Sequence, residues 1–160
     1  MALPQRKLHR LKSWDYSQAG YYFVTVCTRN KRKLLAEIYG TDTEAVSIPT
    51  PFGEQVLACW ERIEKIYPGV KLDYFCIMPN HLHGILVLEE DGISLSAIVR
   101  GFKSITTREY NKRVPIAEKN TLWQSSFYDE IIKNDEMLFD IRKYILGNPS
   151  KWMEDSMYIE

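Results

Sequence analysis

The chain has 160 residues, 45% hydrophobic, 12% aromatic and 26% charged, a profile that excludes a disordered protein and suits one domain able to bury a core without disulfides. Its 21 basic and 21 acidic residues cancel, which argues against a nonspecific nucleic-acid coat protein. No apolar run approaches the ~20 residues of a membrane span and the N-terminus lacks the apolar centre of a signal peptide, so no membrane association and a cytoplasmic location are expected.

Charge is sorted along the chain. Arg6, Lys7, Arg10, Lys12, Arg29, Lys31, Arg32 and Lys33 stand against Asp15 alone, with Trp14, Tyr16, Tyr21 and Tyr22 interleaved. Residues 1–20 thus form a basic N-terminal arm. Cations for phosphates and flat faces for bases suit single-stranded nucleic acid; a solvated arm fits the same composition.

Residues 21–28 are aromatic and β-branched and predict a strand. The prolines and glycine of 41–53 predict an exposed loop. Val56, Trp60, Ile63 and Tyr67 then recur at helical spacing until Pro68 and Gly69 stop the helix. Segments 70–78 and 81–89 predict two strands joined through Pro79 and Asn80 as an antiparallel hairpin. Residues 94–113 predict a helix with Leu95, Ile98, Val99, Phe102 and Ile105 on one face and Arg100, Lys103 and Arg108 on the other. A strand over 122–132 follows, and then a helix from an Asn134 N-cap to about Leu146. The order β-α-β-β-α-β-α predicts an α+β fold: a ferredoxin-like split β-α-β antiparallel sheet with helices on one face and an added C-terminal helix. Cys27, Cys59 and Cys76 have no metal-type spacing and read as buried reduced thiols.

Two pairs of residues are candidates for chemistry. His81 and His83 are separated by one residue, so their imidazoles share a face of the strand and can grip one divalent cation; two polar residues bonded to backbone or water at a strand start are the other reading. Tyr144 and Asn148, four apart, offer a hydroxyl and an amide carbonyl on one helix face. A core tyrosine beside Ile141 and Ile145 is equally open, and Pro149 biases Asn148 away from helical geometry.

The segments "FVTVCT" (23–28), "MPNHLHGIL" (78–86), "RGFKS" (100–104), "WQSSFYDEII" (123–132) and "YILGNPSKWMED" (144–155) together resemble the REP-associated tyrosine transposases. These are a branch of the single-strand transposases with a histidine, hydrophobic, histidine (HUH) motif. The resemblance implies one HUH nuclease domain over 1–160 that cleaves and rejoins DNA at palindromic hairpins through a 5′-phosphotyrosine. It implies Tyr144 as nucleophile, His81, His83 and Asn148 as ligands of Mg²⁺ or Mn²⁺, and hairpin or single-stranded DNA of the repetitive extragenic palindrome type as partner. Arg6, Lys7, Arg10, Lys12, Arg29, Arg100, Lys103 and Arg108 would contact that DNA, and the enzyme would act as a monomer or homodimer. Glu130 departs from the histidine that relatives often carry after the aspartate. A metal-dependent phosphodiester hydrolase using water, and a noncatalytic nucleic-acid-binding regulator, are the alternatives.

Overall fold

The computed structural model describes Tyr16 and residues 18–159. Strand β1 (Gly20–Cys27) leads into a small hairpin, β2 (Ala36–Tyr39) and β3 (Val46–Pro49), followed by helices α1 (Pro51–Glu61) and α2 (Ile63–Ile66). Strands β4 (Val70–Met78) and β5 (His81–Leu88), helix α3 (Leu95–Asn111), strand β6 (Tyr128–Ile132) and helix α4 (Asp135–Gly147) complete the order, and a 3-10 turn over Pro149–Glu154 follows. The main sheet runs β4-β5-β1-β6, with every neighbour antiparallel. This is the strand order of a split β-α-β sheet, the ferredoxin-like arrangement expected from the pattern of elements.

Alternation along the strands gives the sheet two covered faces. Tyr22, Val24 and Val26 of β1 and Leu82 and Leu86 of β5 join Trp60, Ile98, Val99 and Phe102 in one apolar layer. Gly84 belongs to this layer for a steric reason: a Cβ there would lie 2.3 Å from the Trp60 ring. On the opposite face Phe23, Ile85 and Ile132 pack under Ile141 and Ile145 of α4. The added helix therefore covers the side that α1 and α3 leave open.

Three boundaries differ from the sequence pattern. The segment 41–53 is not all loop: it contains β3, and α1 starts at Pro51. Proline lacks the N–H that a first helical residue cannot use anyway, and Thr50 caps the end by accepting from Gly53 N at 2.9 Å. The helix expected to run on to Pro68 breaks at Arg62 into α1 and α2. The strand expected over 122–132 begins only at Tyr128; before it, Trp123 makes one isolated bridge to Thr28. Among the described residues no disulfide forms; Cys27 and Cys59 are buried and Cys76 is half-buried. Among the described residues no helix is long and apolar enough to cross a membrane.

Candidate functional site

His81 and His83 enter from the start of β5 and point to the α4 face, as their spacing requires. They are 0% and 5% exposed, with ring centroids 4.5 Å apart, which rules out the reading of two solvated polar residues. Each ring has a partner that sets its direction. The Asn80 amide donates to Lys31 O at 3.1 Å and to Met157 O at 2.7 Å, so its oxygen is the end facing His81 Nδ1 at 2.8 Å. An amide oxygen only accepts, so Nδ1 carries the proton and Nε2 carries a lone pair. That lone pair lies 3.5 Å from Asp155 Oδ2, two electron-rich atoms that a cation, a proton or a metal ion, between them would reconcile. His83 Nδ1 pairs with Thr25 Oγ1 at 2.7 Å, across the β1–β5 ladder that sets Thr25 opposite His83. Burial, and then the neighbouring His81, hold His83 well below the usual histidine range, which favours the neutral ring, the form that keeps a lone pair on one nitrogen.

Helix α4 supplies the third side. Its N-cap Asn134 accepts from Met137 N at 2.8 Å, with Asp135 and Glu136 in the first turn. Its inner face seats Ile141 and Ile145 in the apolar layer, which brings Tyr144 over the histidines: the hydroxyl is 3.4 Å from His83 Nε2. Arg142 clamps the helix from the other flank, donating to Asp73 at 2.8 and 2.6 Å, where β4 bulges between Leu72 and Phe75. Asn148 keeps helical φ and ψ (−60°, −44°) despite Pro149, so it stays one turn beyond Tyr144. Burial pushes the Tyr144 phenol up to about 12, while the Asn148 amide pulls the other way as a hydrogen-bond partner. A 30 Å³ pocket lined by Phe23, Thr25, His83, Tyr128, Tyr144 and Asp155 lies at this junction.

The donor set fits a divalent cation. One ligand atom from each of His81, His83 and Asp155 can be chosen so that all lie within 4.8 Å of one another. Asn148 Oδ1 is buried with no hydrogen-bond partner among the described residues, an acceptor whose desolvation they leave uncompensated. Two imidazoles with a carboxylate suit Mn²⁺ better than Mg²⁺, which prefers oxygen alone.

The cationic candidates divide into two groups. Arg6, Lys7, Arg10 and Lys12 lie outside the described residues. Arg29, Arg100, Lys103 and Arg108 meet in a groove of about 530 Å³ between α3 and the segment before β6. A second groove of about 650 Å³ shares Arg29, Gln124 and Ser125 with it and adds Asn30, Lys31 and Ser126. Among the described residues no acidic side chain lines either groove. Lys103 is less solvated than its place on the polar helix face suggests: its Nζ donates to Gln124 O at 2.7 Å and burial lowers its pKa. Asn30 and Lys31 both adopt positive φ, 58° and 55°, a left-handed turn that asparagine tolerates and that costs energy at the lysine.

Sequence reasoning missed Asp155, Asn80 and Thr25. Asp155 follows the last helix and carries no spacing signal toward the histidines. Asn80 read as a turn residue, and only its position directly before the first histidine pointed to a bond with it. Thr25 needed the strand register. Glu130 accepts from the Tyr128 hydroxyl at 2.6 Å.

Buried histidines on a central strand, with a tyrosine brought over them by the last helix of a split β-α-β fold, define a class, and comparison with known proteins agrees. The family model described as "Transposase IS200 like" matches residues 16–148, and the chain belongs to that family. Within it, the chain is 32% identical to an uncharacterised protein of Haemophilus influenzae, over 97% of this chain and 94% of that protein. A candidate REP-associated tyrosine transposase of the same organism is 23% identical over 86% of this chain and 74% of its own length. Among solved structures, a REP-associated tyrosine transposase bound to a REP hairpin superposes with a TM-score of 0.68 at 22% identity, covering 89% of this chain and 74% of that one. That likeness shows a shared fold.

Proposed function

We propose that the protein is a divalent-metal-dependent, single-strand DNA endonuclease and strand transferase that cuts and rejoins DNA beside palindromic hairpins through a 5′-phosphotyrosine. The observation that carries this reading is the approach of the Tyr144 hydroxyl to within 3.4 Å of His83 Nε2 inside one chain. No swap of α4 between copies is needed to complete the site, which favours a monomer over a homodimer. A cytoplasmic location goes with such an activity.

His81, His83 and Asp155 would hold the ion, Mn²⁺ or Mg²⁺, with Asn148 Oδ1 as a further ligand. Bound there, it would neutralise charge on the nonbridging phosphate oxygens. The remaining work belongs to the chain. Tyr144 attacks the phosphorus, the bond to the 3′ oxygen breaks, and a free 3′-hydroxyl leaves. One phosphodiester replaces another, so the same residues run the reverse step and join a new end. A phenol at about 12 must shed its proton as the bond forms, and the Asn148 amide, donating to the phenolate oxygen, lowers that cost. Arg29, Arg100, Lys103 and Arg108 hold DNA phosphates in the groove, with the N-terminal Arg6, Lys7, Arg10 and Lys12 adding charge.

The test is Tyr144→Phe with labelled hairpin DNA bearing single-stranded flanks, in Mn²⁺. The native protein should release a free 3′ end and form a covalent protein–DNA adduct; the variant should do neither while keeping its fold. A variant that still cuts would identify a hydrolase using water, and a native protein that binds without scission in any divalent ion would identify a regulator.

A further inference from the structure

The catalytic reading leaves residues 122–127 without a role, although they join the basic groove to the Tyr144 pocket. We propose that Gln124, Ser125 and Ser126 form a base-reading edge for an unpaired DNA strand whose phosphates follow the α3 side of the groove toward Tyr144. This rests on the DNA-cleaving function proposed above and names what selects the strand.

The first support is the contrast between backbone and side chains in this segment. Its backbone is tied down as far as Gln124, directly before the two serines: Arg29 N donates to Leu122 O and Gln124 N to Cys27 O, both at 2.9 Å, and Lys103 Nζ donates to Gln124 O at 2.7 Å. Trp123 is 5% exposed and its indole N–H donates to Thr106 Oγ1 at 2.8 Å. The side chains of Gln124, Ser125 and Ser126 make no hydrogen bond to a described residue, and both serines are exposed. A rigid backbone that presents unspent donors and acceptors is what base readout requires, because the entropy of ordering the reader has already been lost in folding. Hydroxyls and a side-chain amide can each pair with a base edge, and glutamine pairs with adenine in two bonds. An unpaired strand leaves its Watson–Crick edges free for such contacts.

Charge gives the strand its orientation. The cations belong to the α3 side, Arg100, Lys103 and Arg108 among Ser104, Thr107 and Asn111 with Arg29 at the corner, whereas the side opposite offers Gln124 and Ser125 and no cationic side chain of its own. Phosphates are drawn to the first side and bases are turned to the second.

The path also ends where the chemistry is. Gln124 and Ser125 line both grooves. Beyond Ser126 the chain reaches Tyr128, which lines the catalytic pocket, and Lys31 of the second groove donates to Ser156 O at 3.3 Å, beside that same pocket. From Gln124 to Tyr128 the chain spans at most ~13 Å, room for ~4 stacked nucleotides. The reading edge should therefore act on the few unpaired nucleotides next to the cleaved linkage.

The experiment is a binding selection on hairpin DNA with a randomised single-stranded flank. Tyr144→Phe protein is used so that bound molecules are not consumed, and Gln124→Ala and the pair Ser125→Ala with Ser126→Ala are added on that background. Tyr144→Phe alone should enrich particular bases within ~4 nucleotides of one site, and Gln124→Ala should flatten the preference at one of those positions by ~10-fold or more. No enrichment, enrichment that ignores both loop variants, or an equal loss of affinity for every sequence would each overturn the proposal. Adduct formation by the native protein reads the catalytic proposal separately. An adduct with base preference indifferent to Gln124 sinks only the reading edge, and preference that depends on Gln124 without an adduct sinks only the cleavage chemistry.

Discussion

Successive residues of β1 and β5 go into two equally buried but chemically opposite surroundings. Val24, Val26, Leu82 and Leu86 are 0% exposed among Trp60, Ile98 and Phe102, where nothing but volume and shape is required of them. Their neighbours Thr25, His81 and His83, at 7%, 0% and 5%, need particular partners, because an unpaired buried polar group costs ~1–3 kcal/mol. Burial therefore does not distinguish core from site in this sheet. The distinction is whether a side chain's surroundings can be replaced by anything of similar size. On the α1 and α3 face they can; on the α4 face Asn80, Thr25 and Asp155 have no apolar substitute.

The largest effect should come from the apolar face. Trp60 fills the space over Gly84 and meets Phe102 edge-on at 5.3 Å between centroids, so Trp60→Ala should cost ~3–5 kcal/mol in denaturant unfolding. DNA cleavage should fall only as the folded fraction falls. A Trp60→Ala protein that stays folded yet loses catalysis would erase the separation between the two faces.

On the polar face a smaller stability loss should accompany a specific one. Asn80→Ala removes the acceptor for His81 Nδ1–H and the donor to Lys31 O and Met157 O. Stability should drop by ~1–3 kcal/mol. The imidazole also loses what fixes its tautomer, so Mn²⁺ affinity by calorimetric titration should fall ~10–100-fold. Unchanged affinity would mean that Asn80 serves the hairpin turn and not the site.

What could be read before any coordinates follows the same division. The α1 and α3 face was legible because apolar periodicity reports burial directly: Val56, Trp60, Ile98 and Phe102 fell where their spacing put them. The histidine pair was legible because i and i+2 on a strand must share a face whatever the rest of the fold does. Asp155 was not, since it reaches His81 only after a 3-10 turn whose path no local pattern encodes. The segment 122–127 was misread as strand because tryptophan and phenylalanine suggest one; Gln124, Ser125 and Ser126 between them carry no apolar alternation, and the backbone of Gln124 bonds to the end of β1 and to Lys103.

The clamp between α4 and β4 offers the subtlest way to sharpen the comparison, because it stabilises the polar face by charge and without apolar volume. Asp73 sits at the bulge of β4 with its carboxylate held by both Arg142 nitrogens, at 2.8 and 2.6 Å. Hydrogen bonds from Arg142 hold its carboxyl below the usual range against the opposing effect of burial. A group whose folded pKa lies below its unfolded value stabilises the protein above the unfolded value, near ~3.9 for aspartate, and loses that contribution as pH falls through the folded one. Arg142→Ala should therefore cost about 1 kcal/mol at neutral pH, modest because the arginine is 35% exposed. The gap between native and variant in thermal melts should stay constant down to about pH 5 and close below about pH 4. Because Tyr144 lies two residues beyond Arg142, the same variant should slow adduct formation more than it weakens DNA binding. A gap that persists undiminished at pH 2 would show that the Arg142 side chain acts by packing over Tyr74, whose ring centroid lies 5.2 Å from the guanidinium, and that charge contributes nothing to seating the helix.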